Sequence, residues 1–451
     1  MGIYSAIATS VSGLRAQSTA LEHISGNIAN SQTTGYKRTE TNFADLVADG
    51  PPDTQSATGV LASSRSTNSV QGDILGSDIE TYIAIDGEGF FIVSEKLGEI
   101  DNNLAFSDTD LYTRRGDFTT DKYGYLVNGA GYYLQGLAVD ANTGNISGSV
   151  PEPIRISGDF LEAEATTEIV YRANLAKYPL TANADEDVPG SEFLDPADFN
   201  NDPTASGDGF VQGQDETAFI NSTISGGAIT AYDSSGSTVN VQIRWAKLDD
   251  DTYNMFYLED STATGTDPMW RNVGTDYDFN ASRQLDPDFG SVTITGMTVD
   301  GVTLGDITIQ HGSAGITSFS DANGTAKVTE LSQNGYPAGE LESVAISDSG
   351  RVTAFYTNGE QLEIAEVGIA TFNAPDELRK VDGGAFLATT ESGTPIIGGS
   401  GNIIGSALEA SNTDIADEFS KLIITQQAYT ANSRIITTSD EMLQEALNIV
   451  R

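Results

Sequence analysis

Residues 415–450 read IADEFSKLIITQQAYTANSRIITTSDEMLQEALNIV, and apolar side chains recur in this stretch at intervals of seven residues. A seven-residue repeat keeps one seam along one side of an α-helix, as coiled coils require. Asp414 and Asp417 suit the positive end of such a helix. The pattern therefore predicts a long C-terminal helix, whose seam is formed by Ile415, Phe419, Leu422, Tyr429, Ile436, Leu443, Leu447 and Val450.

The N-terminus carries a matching repeat. Its apolar positions are Ile7, Leu14, Leu21 and Ile28. We predict that residues 1–30 and 407–451 pair as a terminal coiled-coil assembly domain, in which these two sets of residues form the assembly seam. Polar residues such as Gln426 and Ser433 interrupt the seam, so the helices are expected to order fully only when neighbouring copies cover them. The alternative is two separate amphipathic helices, each lying on a globular domain.

Between the two ends the apolar period changes from seven to two. Short runs of alternating residues separated by turn clusters, such as Asp233-Ser234-Ser235-Gly236, predict strands joined by tight turns. The predicted strands are Tyr82–Asp86, Phe90–Val93, Val239–Trp245, Ser291–Thr295, Gly305–Gln310 and Arg351–Tyr356. The fold class is thus mostly β with terminal α-helices, comprising two antiparallel β-sandwich or barrel-like domains.

The charge distribution divides this β region. Residues 148–332 contain 30 acidic and 8 basic residues, a net charge of 8 − 30 = −22, whereas residues 1–45 contain three of each sign. We predict an outer acidic β domain over 148–332 and an inner β domain formed by 76–147 and 333–406. The Ser/Thr/Gly-rich residues 31–75 are predicted to be an extended linker arm.

Composition excludes several functions. The 451 residues include 65 acidic and 22 basic residues, a net charge of −43, which disfavours binding to nucleic acids or anionic membranes. Without Cys, and with only two His, thiolate catalysis and the common zinc sites are excluded or disfavoured. Phosphate-loop, nucleophile-elbow and zinc-protease motifs are absent, and nothing singles out a pair of catalytic carboxylates. We therefore expect no enzyme activity, no cofactor and no metal.

The sequence carries little direct information on where the protein is located. No run of 18 apolar residues predicts a membrane-spanning helix. The N-terminal residues lack the basic start and continuous apolar stretch of a secretory signal. Any export is therefore expected to use a route that does not cleave a signal peptide.

Five segments together resemble one family, the bacterial flagellar rod and hook axial proteins. The closest likeness is in ANSQTTGYKR, whose signature residues are Ala29, Asn30, Thr34, Gly35, Tyr36 and Lys37. The resembling segments are SGLRAQSTALEHISGNI at 12–28, ANSQTTGYKR at 29–38, YTRRGDFTTDKYGYLVNGAGYYLQG at 112–136, QNGYPAGELESVAISDSGRVTAFYTNGE at 333–360 and the heptad region at 408–450. The segment at 333–360 is similar to the hook members in particular.

The resemblance implies a function. It implies a structural subunit of the extracellular hook, exported by the flagellar type III apparatus, which self-assembles into a curved tube acting as a universal joint between rod and filament. Implied partners are copies of the chain itself, the distal rod protein, the hook-capping protein and the hook–filament junction protein. Two alternatives stay open: a distal rod protein of the same family, and a secreted acidic β-rich adhesin or enzyme.

Overall fold

The computed structural model describes residues 3–47, 57–100, 103–140, 143–205, 209–399 and 401–449. These residues form three α-helices and thirty strands. In chain order the elements are α1 (Ile3–Ala29), β1 (Thr39–Val47), β2 (Ala57–Ser66), β3 (Ile74–Gly76), β4 (Ile83–Asp86), β5 (Phe90–Ile100), β6 (Asn103–Phe106), β7 (Leu111–Thr113), β8 (Phe118–Thr120), β9 (Leu126–Asn128), β10 (Tyr132–Val139), β11 (Ile146–Pro153), β12 (Glu168–Asn174), β13 (Phe210–Gln212), α2 (Glu216–Ser222), β14 (Thr223–Tyr232), β15 (Thr238–Lys247), β16 (Thr252–Leu258), β17 (Pro268–Asp278), β18 (Ser291–Val299), β19 (Val302–Gln310), β20 (Ile316–Thr317), β21 (Lys327–Gln333), β22 (Leu341–Ile346), β23 (Arg351–Tyr356), β24 (Gln361–Val367), β25 (Ile369–Thr371), β26 (Arg379–Val381), β27 (Ala385–Leu387), β28 (Ile396–Ile397), β29 (Asn402–Gly405), β30 (Ala407–Glu409) and α3 (Ile415–Ile449).

The mostly β architecture with terminal helices is confirmed. Each predicted strand coincides with, or lies within one residue of, an observed strand: β4, β5, β15, β18, β19 or β23. Both predicted terminal helices are present, and α3 begins at Ile415, where the heptad repeat begins. None of the helices in the described part of the chain combines the length and apolarity needed to cross a lipid bilayer.

The chain divides into two compact units. The first unit comprises residues 1–158, 342–355 and 361–451, and the second unit comprises residues 159–341 and 356–360. The second unit contains 31 acidic and 7 basic residues, a net charge of 7 − 31 = −24. It falls largely within the span predicted for an outer acidic domain, and the first unit contains both chain ends.

The first unit is built around a 14-stranded sheet in which β10 is central. β10 pairs antiparallel with β5, β24, β11 and β9 at different points along its length, which gathers distant parts of the chain into one sheet. Aromatic side chains form its core, where Phe90 packs edge-on against Phe372 and Phe386. Burial of such rings supplies much of the driving force for folding.

Residues 31–75 differ from the predicted linker arm, because β1 and β2 pair along an antiparallel ribbon. The ribbon is attached to α1 through His23. Its Nδ1 lies 2.8 Å from Thr41 Oγ1 of β1, and its Nε2 lies 2.9 Å from Ser64 Oγ of β2. The two strands mix polar, small and apolar residues without a regular apolar alternation, so the sequence pattern resembled that of a linker.

The second unit contains two five-stranded sheets. The first sheet comprises β12 and β18–β21, and the second sheet comprises β13–β17. They share one core, to which Tyr171 of the first sheet and Trp245 and Tyr277 of the second contribute completely buried rings. The expectation of purely antiparallel sheets is wrong for the first sheet, because β12 pairs parallel with β19 and β20. Residues 175–301 separate β12 from β19. The alternation of apolar residues within a single strand carries no information on pairing between strands so far apart.

Candidate assembly site

The signature loop, which we define as residues 30–38, follows the end of α1. Ala29 is exposed there, and Asn30 Nδ2 donates a hydrogen bond to Gly26 O at 2.9 Å. Thr34 is half-buried in this loop. Gly35 has a φ of +64°, and a Cβ there would lie 2.7 Å from the backbone carbonyl carbon of Arg114. Only glycine meets both the left-handed conformation and the close approach without strain. The loop is therefore shaped to press its backbone against the β region.

Behind this loop lies a buried ion cluster, which we define as Lys37, Arg114 and Glu409. Lys37 Nζ lies 2.5 Å from Glu409 Oε1, and Arg114 Nη1 lies 3.1 Å from Glu409 Oε2. The three side chains are at most 3% exposed. Burial lowers the pKa of Lys37, and the attraction of Glu409 only partly offsets this effect. The carboxylate is thus the counter-charge for two cations that have no access to water.

The buried ion cluster joins parts of the chain that are far apart in sequence. Glu409 Oε1 also accepts a hydrogen bond from Gly72 N at 2.8 Å, and Lys37 Nζ donates to Val70 O at 2.6 Å. Arg114 directly follows β7, and Glu409 ends β30, shortly before α3. Buried ion pairs contribute little net stability but strongly penalise any arrangement that separates them. The cluster therefore fixes the start of α3 and the end of the signature loop in one position on the β region.

A second polar junction connects α1 with α3. Asn27 Nδ2 donates to Glu418 Oε2 at 3.2 Å, and Glu418 Oε1 accepts from Lys421 Nζ at 2.6 Å. Asn27 also exchanges two hydrogen bonds with the backbone of Thr39, while its Oδ1 accepts one from Tyr36 Oη. Burial, together with the negative charge of Glu418, raises the pKa of the Tyr36 hydroxyl. The signature tyrosine thus helps to hold the two helices at their shared end.

The contacts show that α1 and α3 lie antiparallel. Asn27 meets Glu418, whereas a Cβ at Gly13, fourteen residues earlier in α1, would meet the side chain of Asn432, fourteen residues later in α3. Glu418, Thr425 and Ser439 are buried on α3 and share one seven-residue register, in which the intervening Asn432 is half-buried. The buried positions on α1 are small or polar for the most part: Ser10, Gly13, Ala16, Ala20, Ile24 and Asn27. Small residues allow the two helix backbones to approach closely.

The large apolar residues predicted as the seam occupy other positions. On α1, Ile7, Leu14, Leu21 and Ile28 are half-buried, and on α3 the half-buried members are Leu422, Ile436 and Leu443. The exposed members are Ile415, Phe419, Tyr429 and Leu447, and Val450 lies outside the described residues. The heptad period is therefore present in both helices, but the most deeply buried positions are offset from the apolar ones.

Large apolar side chains remain exposed along α3, on more than one side of the helix. We define the α3 face as Ile415, Phe419, Ile423, Ile424, Tyr429, Ile435, Met442 and Leu447, each between 41% and 69% exposed. Large exposed apolar surfaces usually mark sites of association with other molecules. The sequence pattern identified Ile415, Phe419, Tyr429 and Leu447 but missed the other four, which lie outside the seven-residue register.

Sequence reasoning also missed the roles of Arg114, Glu409 and Glu418. Each lies in a segment that carries the family resemblance. A charged residue in such a segment gives no sign of burial, least of all an acidic residue in a chain this acidic. In the described part of the chain, no group of three His, Asp or Glu side chains is placed to hold a metal ion. The site thus consists of packing surfaces and ion pairs.

Comparison with known proteins shows similarity to flagellar axial proteins. Three family models match in chain order: flagella basal body rod protein over residues 7–37, flagellar hook protein FlgE/F/G D1 domain over 84–164, and flagellar basal body rod FlgEFG protein C-terminal over 404–449. The two terminal matches cover most of α1 with most of the signature loop, and α3 with β30 before it.

Whole proteins of this family align along the full chain. The flagellar hook protein FlgE of Caulobacter vibrioides is 29% identical, with 100% of both chains covered. That of Brucella abortus is also 29% identical with 100% of both covered, and that of Salmonella typhimurium is 27% identical, covering 97% of this chain and 98% of its own. The crystal structure of Helicobacter pylori flagellar hook protein FlgE2 superposes with a TM-score of 0.50 at 16% identity, covering 74% of this chain and 100% of that one. Along its whole length the chain is therefore similar to flagellar hook proteins.

Proposed function

We propose that this chain is the structural subunit of a bacterial flagellar hook, which self-assembles into a curved tube and transmits torque from rod to filament as a universal joint. The observation that carries the proposal is the α3 face, an apolar surface along a 35-residue helix that the chain itself leaves exposed. Full-length similarity to hook proteins indicates which assembly this surface serves. Further copies of the same chain are the occupants that a homopolymer requires.

In this proposal the two terminal helices wind together as a coiled coil within the tube. The close antiparallel contact through Gly13 and Asn27 supports their pairing. The apolar residues beside that contact, such as Leu14 and Leu422, are half-buried, so neighbouring copies can cover their remaining surface. Apolar area removed from water contributes about 25 cal/mol per Å², which makes such coverage a sufficient driving force for assembly.

The second unit is proposed to form the outer layer of the tube. Its net charge of −24 keeps its surface solvated and opposes tight contact between neighbouring copies. Small, wet contacts can exchange at low cost as the tube bends, whereas a dry interface packed like a protein core would resist bending. The strong charge is thus compatible with a joint whose outer contacts change during rotation.

The proposed partners follow from the position of a hook. They are the distal rod protein at one end, the hook-capping protein during growth and the hook–filament junction protein at the other end. Export through the flagellar type III apparatus without signal cleavage completes the proposal. The hook lies outside the cell, and no nucleic acid or membrane insertion is involved.

The proposal is tested by electron microscopy of material assembled from the purified chain. We expect hollow, curved tubes, because the terminal helices and the β units together provide both an inner and an outer layer. Straight rods would instead favour a distal rod protein. Particles that stay monomeric under all polymerising conditions, with both units folded, would refute the assignment as a polymer subunit.

A further inference from the structure

His311 lies in the core of the second unit, directly after β19, and is 0% exposed. Its ring is enclosed by aromatic side chains. The ring centroids of Tyr277, Phe289 and Tyr171 lie 5.5, 6.2 and 6.3 Å from that of His311. A charged imidazolium in such surroundings is costly, because no water can solvate it.

Both ring nitrogens are used to connect the two sheets. Nδ1 lies 2.9 Å from the carbonyl oxygen of Tyr171 in the first sheet, and Nε2 lies 3.0 Å from the hydroxyl of Tyr277 in the second sheet. Because a carbonyl oxygen only accepts, Nδ1 carries the hydrogen, and Nε2 of the neutral ring accepts from Tyr277. The neutral ring therefore satisfies both partners.

Further hydrogen bonds join the two sheets beside the neutral His311 ring. The Tyr171 hydroxyl accepts from Trp245 Nε1 at 2.8 Å and donates to Gly226 O at 2.9 Å, so the two sheets are joined again beside the histidine. If Nε2 gained a proton, Tyr277 would have to turn its hydroxyl hydrogen away from the ring. Within the described residues, that hydroxyl has no other hydrogen-bond partner.

Among the residues that the structure describes, no carboxylate contacts the ring to stabilise its charged form. The titratable groups packed against it are Tyr171 and Tyr277, and burial raises the pKa of both hydroxyls. Arg172 donates to the backbone oxygen of His311 at 3.1 Å and is paired with Glu330. Asp288 contacts the same loop through the hydroxyl of Ser313. Arg172 would therefore repel an imidazolium, and its counter-charge Glu330 is already engaged.

We propose that His311 is a pH-dependent lock between the two sheets of the second unit, which holds them together while the ring is neutral and releases them when it is protonated. The enclosure of the ring carries this inference, together with its hydrogen bonds to Tyr171 of the first sheet and to Tyr277 of the second sheet. Burial also lowers the pKa of His311 in the folded chain. The unfolded chain, with a histidine pKa near 6.5, then binds a proton more readily than the folded chain.

The lowered pKa of His311 makes the second unit less stable as the pH falls. Well above pH 6.5 the ring is neutral in both states, and His311 makes no contribution to the pH dependence of stability. As the pH falls below that value, the unfolded state gains a proton that the folded state refuses. The unfolding equilibrium constant of the second unit therefore increases by up to about tenfold per pH unit, until the folded ring is also protonated. The second unit would loosen in acid by this mechanism whether or not the chain assembles.

The test uses the full chain, whose two tryptophans, Trp245 and Trp270, both lie in the second unit. Urea unfolding followed by tryptophan fluorescence is measured between about pH 5 and pH 8, where His311 should titrate on unfolding. We expect His311→Gln and His311→Phe to have a flatter pH dependence than the wild type. The matched control is His23→Gln, which changes the only other histidine and lies in the first unit. Equal pH dependence in the wild type and either folded His311 variant would overturn the proposal.

A measurement on the wild type keeps the proposal testable if both His311 variants fail to fold. Nuclear magnetic resonance of the chain labelled at histidine shows only two ring signals, and His23→Gln identifies them. We expect the His311 ring to keep the chemical shifts of the neutral form until tryptophan fluorescence reports loosening of the unit. A His311 signal that titrates fully while the second unit stays intact would contradict the lock.

Discussion

Replacing Glu409 with glutamine is expected to lower the free energy that holds the terminal segments on the β region by about 3–5 kcal/mol, the usual cost of removing one partner from a buried ion pair. Lys37 and Arg114 would then be left as two buried cations without a counter-charge. Hydrogen exchange of the strands beside the cluster, β4, β29 and β30, measures this loss as faster local opening. Because the start of α3 depends on the same anchor, assembly should fail as well.

The matched control is Glu363→Gln. Glu363 also accepts from an arginine, Arg351, at 3.0 Å, but its side chain is 47% exposed. Exposed ion pairs contribute only about 0–1 kcal/mol, so this variant should exchange and assemble much like the wild type. If Glu409→Gln behaved like Glu363→Gln, the buried ion cluster would not be the anchor of the terminal segments.

Phe419→Asp is expected to abolish assembly while leaving the soluble chain folded. Phe419 is half-exposed on the α3 face, so a carboxylate there stays solvated in the monomer. In a polymer the same position would be covered, at a loss of about 3 kcal/mol or more for each subunit. That loss corresponds to a rise in the critical concentration of roughly a hundredfold or more. Sedimentation and circular dichroism measure assembly and folding separately.

Ile423→Asp should give the same result, since Ile423 lies one helical turn further along the same side. The matched control is Val150→Asp on β11 of the first unit, where the apolar side chain is 72% exposed. Lys421 is unsuitable as a control, because it pairs with the buried Glu418. Normal tubes from Phe419→Asp, or equal loss in Val150→Asp, would show that the α3 face has no special part in assembly.

The sequence was sufficient to predict the two terminal helices and six of the strands, because both depend on local periodicity. The period of seven located α3, and the alternation in Arg351–Tyr356 coincided with β23. The parallel pairing of β12 was not predictable, because more than a hundred residues separate β12 from its parallel partners in the sequence. The β1–β2 ribbon was missed because its stability depends on hydrogen bonds to α1 rather than on an apolar pattern.

The candidate site was predicted only in part, for a physical reason. Apolar repeats identify a helix face that avoids water, but they do not say whether the same chain or another copy covers it. Small and polar residues such as Gly13, Asn27 and Thr425 form the intramolecular contact, while Phe419 remains exposed. The partners of Glu409 likewise come from three separate segments, and only the folded structure brings them together.

Hydrogen exchange over α3, compared between soluble chain and assembled tubes, tests most directly whether this helix is the assembly surface. We predict that amides of residues 415–449 exchange at least about tenfold more slowly in the tubes, because covering the α3 face suppresses local opening. Strands β14 and β15 of the second unit serve as the internal reference and should change little. Equal protection of α3 in both forms would contradict the account, since the apolar face would then gain nothing from assembly.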